Sequence, residues 1–233
     1  MLLRNSKSFK RCYSSFTGLK RVVVFEGDGI GPEIVGAARK CIDAALVSQN
    51  SSPIQWLERD AGSPGLANLS EDDLEAFDDT KLMFKGPLTI KPGQKSWVDL
   101  RGRKFSSSNQ VFRKIFELYA NIRPSKSYAG VDTPFKNVDW VVFRENTEDV
   151  YTGEETVFNA GQETEYVEGV KRNSRLASRR IAQRAAEFAV YNDRRHITVL
   201  HKANVCKLGD GLWLSETLAT ARAAVETAGS SVG

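Results

Sequence analysis

Three arginines stand at points where a purely structural role is hard to supply. Arg113 sits on a short apolar-patterned segment that follows a long irregular stretch, Arg123 ends the run Leu118–Ile122, and Arg144 ends Val138–Phe143 beside Glu145 and Asn146. A guanidinium at the end of a strand suits bidentate carboxylate binding. Ser107 and Asn109 lie just ahead of Arg113, where a helix start offers unpaired N–H groups to an anion. Each arginine taken singly could be a surface residue or pair with a nearby acid. Three of them, bracketed by a Ser-x-Asn helix start, point to a small polycarboxylate. Tyr151, seven residues after Arg144, and Lys202, which ends the strand-like Ile197–His201, are the candidate proton carriers. A strand-end lysine is commonly solvated and a tyrosine commonly core, so composition leaves their role open.

Other chemistries find little support. Gly27-Asp28-Gly29-Ile30-Gly31 lies between a strand-like and a helix-like segment, but Pro32 stands where the dinucleotide fingerprint wants a third glycine. What remains is a close-approach turn at the carboxyl end of a strand. His196 and His201 lack acidic partners at metal-ligand spacing, and His201, next to an inward Leu200, is expected to be structural. Cys12, Cys41 and Cys206 show no C-x-x-C spacing, which disfavours a zinc site or a disulfide framework and fits a reduced compartment. No G-x-S-x-G, H-E-x-x-H or Walker pattern occurs.

The elements that must position these residues follow from periodicity. Strands are expected at Arg21–Glu26, Ile54–Glu58, Lys81–Phe84, Val138–Phe143 (buried on both faces) and His196–Leu200. Helices are expected at Glu33–Val47, with Pro32 in its first turn, and at Ser70–Phe77, with Ser70 as N-cap and Asp73 in the first turn. Further helices are expected at Asn109–Phe116, Ser174–Tyr191 and Gly211–Ala228; Arg175, Arg179 and Arg180 read as a solvated face. Lys85–Ser108 is long and irregular, and Glu163–Lys171 reads as an extended arm. Strands alternating with helices predict an α/β protein with a largely parallel sheet.

The chain has 233 residues, 41% of them apolar and 27% charged, with a mean hydropathy of −0.37. That composition can build a core, and no apolar run reaches membrane-span length. The net charge is +4, yet five positive charges (Arg4, Lys7, Lys10, Arg11, Lys20) lie in the first twenty residues, leaving −1 for the rest. The basicity is therefore a tail and not a nucleic-acid face. Residues 1–20 are basic, Ser-rich and acid-free, and Leu2, Leu3 and Phe9 can share a helical face, which is the composition of a mitochondrial transit peptide. The mature chain is expected to start near Ser14–Lys20.

Six segments together resemble the β-decarboxylating dehydrogenases. They are Glu-Gly-Asp-Gly-Ile-Gly-Pro-Glu (26–33), Lys-Gly-Pro-Leu (85–88), Ser-x-Asn-x-x-x-Arg (107–113), Tyr-Ala-Asn-Ile-Arg-Pro (119–124), Phe-Arg-Glu-Asn-Thr-Glu-Asp-Val-Tyr-Thr-Gly (143–153) and His-Lys-Ala-Asn (201–204). Within that family the chain most resembles the NAD-type isocitrate dehydrogenases of mitochondria and bacteria. The resemblance implies an isocitrate/isopropylmalate dehydrogenase-like α/β fold, with a large domain over 21–124 and a small domain carrying a clasp arm over 125–233. It implies isocitrate carboxylates held by Ser107, Asn109, Arg113, Arg123 and Arg144, with Lys202 and Tyr151 catalytic. It also implies Thr89 and Asn204 on the cofactor side, NAD and Mg²⁺ or Mn²⁺ as cofactors, and an oligomer whose partner subunit lends the lysine. The mitochondrial matrix would be the location, with neither nucleic acid nor membrane as partner.

The chain also departs from the family pattern. Ile90 follows Thr89 where the family usually has Thr, and the loop to Ser107 is long. The family's metal-binding aspartates and adenosine-side loop have no counterpart before Gly233. The resemblance thus predicts a truncated fold with an incomplete large-domain sheet, and a chain inactive by itself. The alternatives are a non-catalytic regulatory or structural subunit, or a dehydrogenase of the 3-isopropylmalate or tartrate type.

Overall fold

The computed structural model describes residues 20–59, 70–88, 97–98, 104–105 and 108–230. The expected transit peptide therefore lies outside the described residues except for Lys20, which already belongs to the first strand. The described chain divides into two compact units between Phe112 and Arg113, upstream of the boundary after Pro124 expected from sequence. The difference arises because the Arg123 strand pairs with the Arg144 strand and so joins the second unit.

In the first unit, β1 (Lys20–Phe25), β2 (Ile54–Glu58) and β3 (Met83–Lys85) form a parallel sheet in the order β2-β1-β3. Parallel neighbours need crossovers, and α1 (Gly31–Ser48) and α2 (Glu71–Thr80) supply them. Pro32 stands in the first turn of α1, where its missing N–H costs nothing. Ser70 caps α2 as expected: its Oγ accepts the Asp73 N–H at 3.2 Å while the Asp73 carboxylate accepts the Ser70 N–H at 2.9 Å, a reciprocal capping box. Trp56 on β2 donates its indole N–H to Asp43 on α1 at 3.0 Å, fixing that helix against the sheet. Val23, Val24, Phe25, Val35, Leu74 and Phe77 form the core. Phe25, Phe77 and Phe112 interlock as a three-ring cluster with centroids 5.2–5.8 Å apart. The short strands β4 (Trp97–Val98) and β5 (Lys104–Phe105) pair antiparallel within the long segment expected to be irregular.

The glycine-rich turn after β1 packs on the turn after β3. Asp28 N–H donates to the Pro87 carbonyl at 2.8 Å, and Gly86 N–H to the Phe25 carbonyl at 2.9 Å. A Cβ on Gly27 would sit 2.1 Å from the Pro87 carbonyl oxygen, and one on Gly86 would sit 1.9 Å from that of Glu26. Backbone-to-backbone approach accounts for these glycines without a pyrophosphate.

The second unit opens within α3 (Ser108–Ile115), which spans the division. β6 (Ala120–Lys126) and β7 (Asp139–Glu145) pair antiparallel, so the sheet is not parallel throughout. β7 is not buried on both faces: Trp140 is 60% exposed, while Phe143 on the opposite face packs at a tilt against Phe188, ring centroids 5.2 Å apart. The face toward α4 is the more covered one, with Val141 and Phe143 partly buried. β8 (Glu155–Phe158) and β9 (Tyr166–Gly169) form a hairpin, so the expected extended arm is a paired ribbon that begins earlier in the chain.

α4 (Arg175–Tyr191) starts at Ser174, whose side chain accepts the Ala177 N–H at 3.1 Å. Its inner stripe of Ala177, Ile181, Ala182, Ala186 and Ala189 is small enough for close approach. It packs along α5 (Gly209–Ser230). The arginines of α4 are a solvated face only in part: Arg175 and Arg179 stay 59% and 55% exposed, while Arg180 is largely covered. Arg175 and Arg179 both pair with the buried Glu216 on α5, and Arg180 pairs with the buried Glu145 at 2.7 Å. Residues 196–200 form no ladder among the described residues. Leu200 is 80% exposed and not inward, and the adjacent His201 is exposed, its Nδ1 accepting the Ala203 N–H at 3.0 Å.

Gly86→Ala should destabilise the first unit by about 1–3 kcal/mol, because the new methyl meets backbone that cannot yield. Gly36→Ala in α1, where a Cβ would meet nothing within 4 Å, should stabilise it by about 0.5–1 kcal/mol. Urea unfolding of both variants tests the contrast, and equal effects would remove the close-approach argument.

Candidate functional site

Asn121 and Arg144 face each other across the β6–β7 ladder, and Arg123 lies two residues along from Asn121. Period-two alternation therefore puts Asn121, Arg123 and Arg144 on one face, opposite the Phe143 side that α4 covers. Asn121 Oδ1 accepts the Arg123 Nε–H at 2.9 Å and aims that guanidinium along the face. Arg113 joins them from α3. Its pKa is lowered by burial first and then by the fields of Arg144 and Arg123. The direction is informative: three cations close enough to feel one another raise the energy of the charged site, and a bound anion relieves it.

Tyr151 sits in the 3₁₀ turn Val150–Thr152, and the Arg144 guanidinium lies 4.2 Å from its ring centroid. The turn is held on several sides. Asp149, at φ 61°, caps it by accepting the Val150 N–H at 2.8 Å. Lys114 donates to the Thr152 carbonyl at 3.1 Å, and the Thr152 hydroxyl donates to the Val170 carbonyl at 3.0 Å. Tyr151 is thus presented by backbone that α3 and the root of the hairpin both grip.

Behind this face stands a buried carboxylate that residue spacing alone did not single out. Glu145 accepts the Thr147 N–H, the Thr147 hydroxyl, the Glu148 N–H and the Arg180 guanidinium, each at 2.7 Å. Glu148 in turn accepts the Ser174 N–H at 2.7 Å, just before α4. The available signal was the acid-rich run Glu145–Asp149 followed by the arginines of α4.

Of the sequence-predicted residues, Arg113, Arg123, Arg144 and Tyr151 come together. Asn109 lies one turn before Arg113 on α3 and is half-buried. Ser107 and Thr89 lie outside the described residues. Lys202 and Asn204 sit on an exposed turn before α5, and no hydrogen bond or ion pair among the described residues joins the Lys202 side chain to the arginines or to Tyr151. No group of three His, Cys, Asp or Glu side chains that could hold a metal ion occurs among the described residues. The divalent ion that the resemblance implied therefore finds no ligand set there. No described helix is long and apolar enough to cross a membrane.

Two measurements follow from this electrostatic arrangement. Arg113→Met should leave the thermal midpoint unchanged or raised, since like charges are relieved, while abolishing any low-salt stabilisation that an added tricarboxylate is found to give the parent. A loss above about 2 kcal/mol would make Arg113 structural. The second concerns Lys171 and the buried Asp210, 2.6 Å apart. The Lys171 hydrogen bond holds the Asp210 carboxyl below its ordinary range despite burial, and the same bond raises Lys171. The Asp210 contribution is complete above its unfolded value of about 3.9 and is lost as pH falls through the lower folded value. The Lys171 contribution is complete below about 10.4 and is lost as pH rises through the higher folded value. Stability lost in Lys171→Met should accordingly be flat between about pH 4 and pH 10 and shrink outside that window; a difference that changes near neutrality would refute the assignment.

Residues 21–228 match the family described as isocitrate/isopropylmalate dehydrogenase. The alpha subunit of mitochondrial NAD isocitrate dehydrogenase from Bos taurus is 38% identical over 218 residues, covering 91% of this chain and 54% of that one. The 3-isopropylmalate dehydrogenase of Sulfurisphaera tokodaii is 36% identical over 209 residues, covering 88% and 56%. A crystal structure of isocitrate dehydrogenase from Methylococcus capsulatus superposes with a TM-score of 0.74 at 33% identity, covering 88% of this chain and 57% of that one. The chain spans about half the length of the curated relatives it matches. By its matched residues, its α/β fold and the ordered Arg144–Gly153 block, the chain belongs to the isocitrate/isopropylmalate dehydrogenase family.

Proposed function

We propose that this chain contributes to NAD-dependent oxidative decarboxylation of isocitrate to 2-oxoglutarate and CO₂. The observation that carries the proposal is the cluster of Arg113, Arg123 and Arg144, with the last stacked on Tyr151. Three mutually repelling guanidiniums beside a phenol suit a substrate with several carboxylates that must be protonated at carbon. Arg113, Arg123 and Arg144 hold the carboxylates, aided by Ser107 and Asn109, which shortly precede Arg113 in the sequence.

Lys202 accepts the proton of the substrate hydroxyl, and Tyr151 delivers a proton to carbon after CO₂ has left. Exposure of Lys202 and the lack of a bond from its side chain to the cluster support a lysine lent to the site of a second subunit. The β8–β9 hairpin, with Val157, Tyr166 and Val167 about half exposed, suits a clasp between subunits. NAD, when bound, supplies the hydride acceptor; Asn204 is exposed and within two residues of Lys202 to meet it. The described residues provide no ligand set for a metal ion. A mitochondrial location follows the naming of the relatives and the composition of residues 1–20.

The test is NADH formation by the protein, by itself and in the assembly it forms in its source, with isocitrate, 3-isopropylmalate or tartrate and with Mg²⁺ or Mn²⁺ supplied. Isocitrate turnover supports the proposal. Turnover of another acid with none on isocitrate reassigns the substrate, and no turnover in any assembly makes the chain a non-catalytic subunit. In the active assembly Tyr151→Phe should lower kcat by about 100-fold or more with little change in the isocitrate KM. A raised KM with unchanged kcat would show that Tyr151 binds substrate and does not carry the proton.

A further inference from the structure

Asp210, in the first turn of α5, is only 3% exposed, and both of its carboxylate oxygens are engaged. Oδ1 accepts from the Lys171 ammonium at 2.6 Å and from the Asn173 amide at 3.1 Å. Oδ2 accepts the backbone N–H of Lys202 at 2.6 Å, eight residues back along the chain. The Lys202 carbonyl accepts the Val205 and Cys206 N–H groups at 2.9 and 2.8 Å, and the Asp210 N–H donates to the Cys206 carbonyl at 3.0 Å. The peptide groups on both sides of the Lys202 Cα are therefore tied down.

The far end of Lys202 is different. Its side chain is exposed and makes no hydrogen bond or ion pair among the described residues. A lysine has four rotatable side-chain bonds, so where its amine can reach depends on where its Cα is held and how its Cα–Cβ bond is aimed. Misplacement by about 1 Å can cost about 100-fold in rate. Fastening α4 to α5 does not need Asp210, because Glu216 already does so with Arg175 and Arg179. What Asp210 adds is the single bond to the amide of Lys202 and a tie to Lys171 and Asn173, which lead from the end of β9 to the start of α4.

We infer that Asp210 is a positioning residue for Lys202: its buried carboxylate fixes the backbone from which the lysine projects and makes that placement depend on the root of the β8–β9 hairpin. The inference rests on the proposed role of Lys202, but the hold on its backbone can be measured without activity.

Residue-resolved amide hydrogen exchange on the full chain, in the assembly it forms, would compare the parent with Asp210→Ala, Asp210→Asn and Glu216→Gln. Asp210→Ala should speed exchange of the Lys202 amide by about tenfold or more, with the size-matched Asp210→Asn deciding the point if the alanine variant does not fold. Glu216→Gln, which loosens the same helix pair elsewhere, should leave that amide within about twofold of the parent. An unchanged Lys202 amide in the folded Asp210 variants, or equal acceleration in Glu216→Gln, overturns the inference. In a parent that oxidises isocitrate, Asp210→Asn should lower kcat by about tenfold or more with KM within about twofold, and Asp210→Glu should recover part of the loss. A raised KM with kcat untouched would overturn it as well. A parent that does not oxidise isocitrate defeats the functional proposal, while hydrogen exchange still decides whether Asp210 holds Lys202.

Discussion

The second unit is organised around one buried carboxylate. Glu145 ends β7, is 7% exposed, and accepts four hydrogen bonds, one of them from the Arg180 guanidinium. A carboxylate so enclosed is tolerable only when its lone pairs are satisfied and its charge is balanced. Removing either partner of such a pair leaves an uncompensated charge, at a cost of about 3–5 kcal/mol. Meeting its demands makes the chain turn sharply after β7, so that the Thr147 and Glu148 amides point back at the carboxylate. It also brings α4 in from far along the sequence. The outward Arg144 and the turn that presents Tyr151 follow from that folding back.

The site face is built on the opposite electrostatic principle. Among the described residues no ion pair ties Arg113, Arg123 or Arg144 to an acid, and the Arg113 pKa is lowered first by burial and then by the fields of Arg144 and Arg123. The energy for this arrangement comes from the layer behind it: Phe143 on Phe188, the alanine stripe of α4, and the ion pairs of Arg175, Arg179 and Arg180. Acids and bases are thus sorted by face. Buried Glu145 and Glu216 meet arginines of α4, while Arg123 and Arg144 lie on the other face of the β6–β7 ladder.

Much of the first unit was legible in the residues because its signals are local. The Ser70–Asp73 capping box, Pro32 at the start of α1 and the Ile54–Glu58 strand all depend on neighbours within a few positions. The second unit was less legible where partners lie far apart. Arg180 reads as solvated on a helical wheel, yet it meets Glu145, thirty-five residues away. His196–Leu200 has the composition of a strand, but composition cannot provide a ladder partner.

The candidate site shows the same division. Its residue types were evident in the chain itself: arginines at element ends, a tyrosine shortly after one of them, and a lysine before a turn. Those types point to a chemistry, because a guanidinium cluster beside a proton carrier suits a polycarboxylate at neutral pH. Tertiary structure decided which of them meet. The antiparallel register of β6 and β7 set Arg123 and Arg144 on one face, and α3 delivered Arg113 to their field. It also decided the roles of the acids, since burial and not residue type turned Glu145, Glu216 and Asp210 into anchors. A carboxylate in the sequence is only a charge; what it does depends on which donors the fold brings within three ångströms and how much water it leaves there.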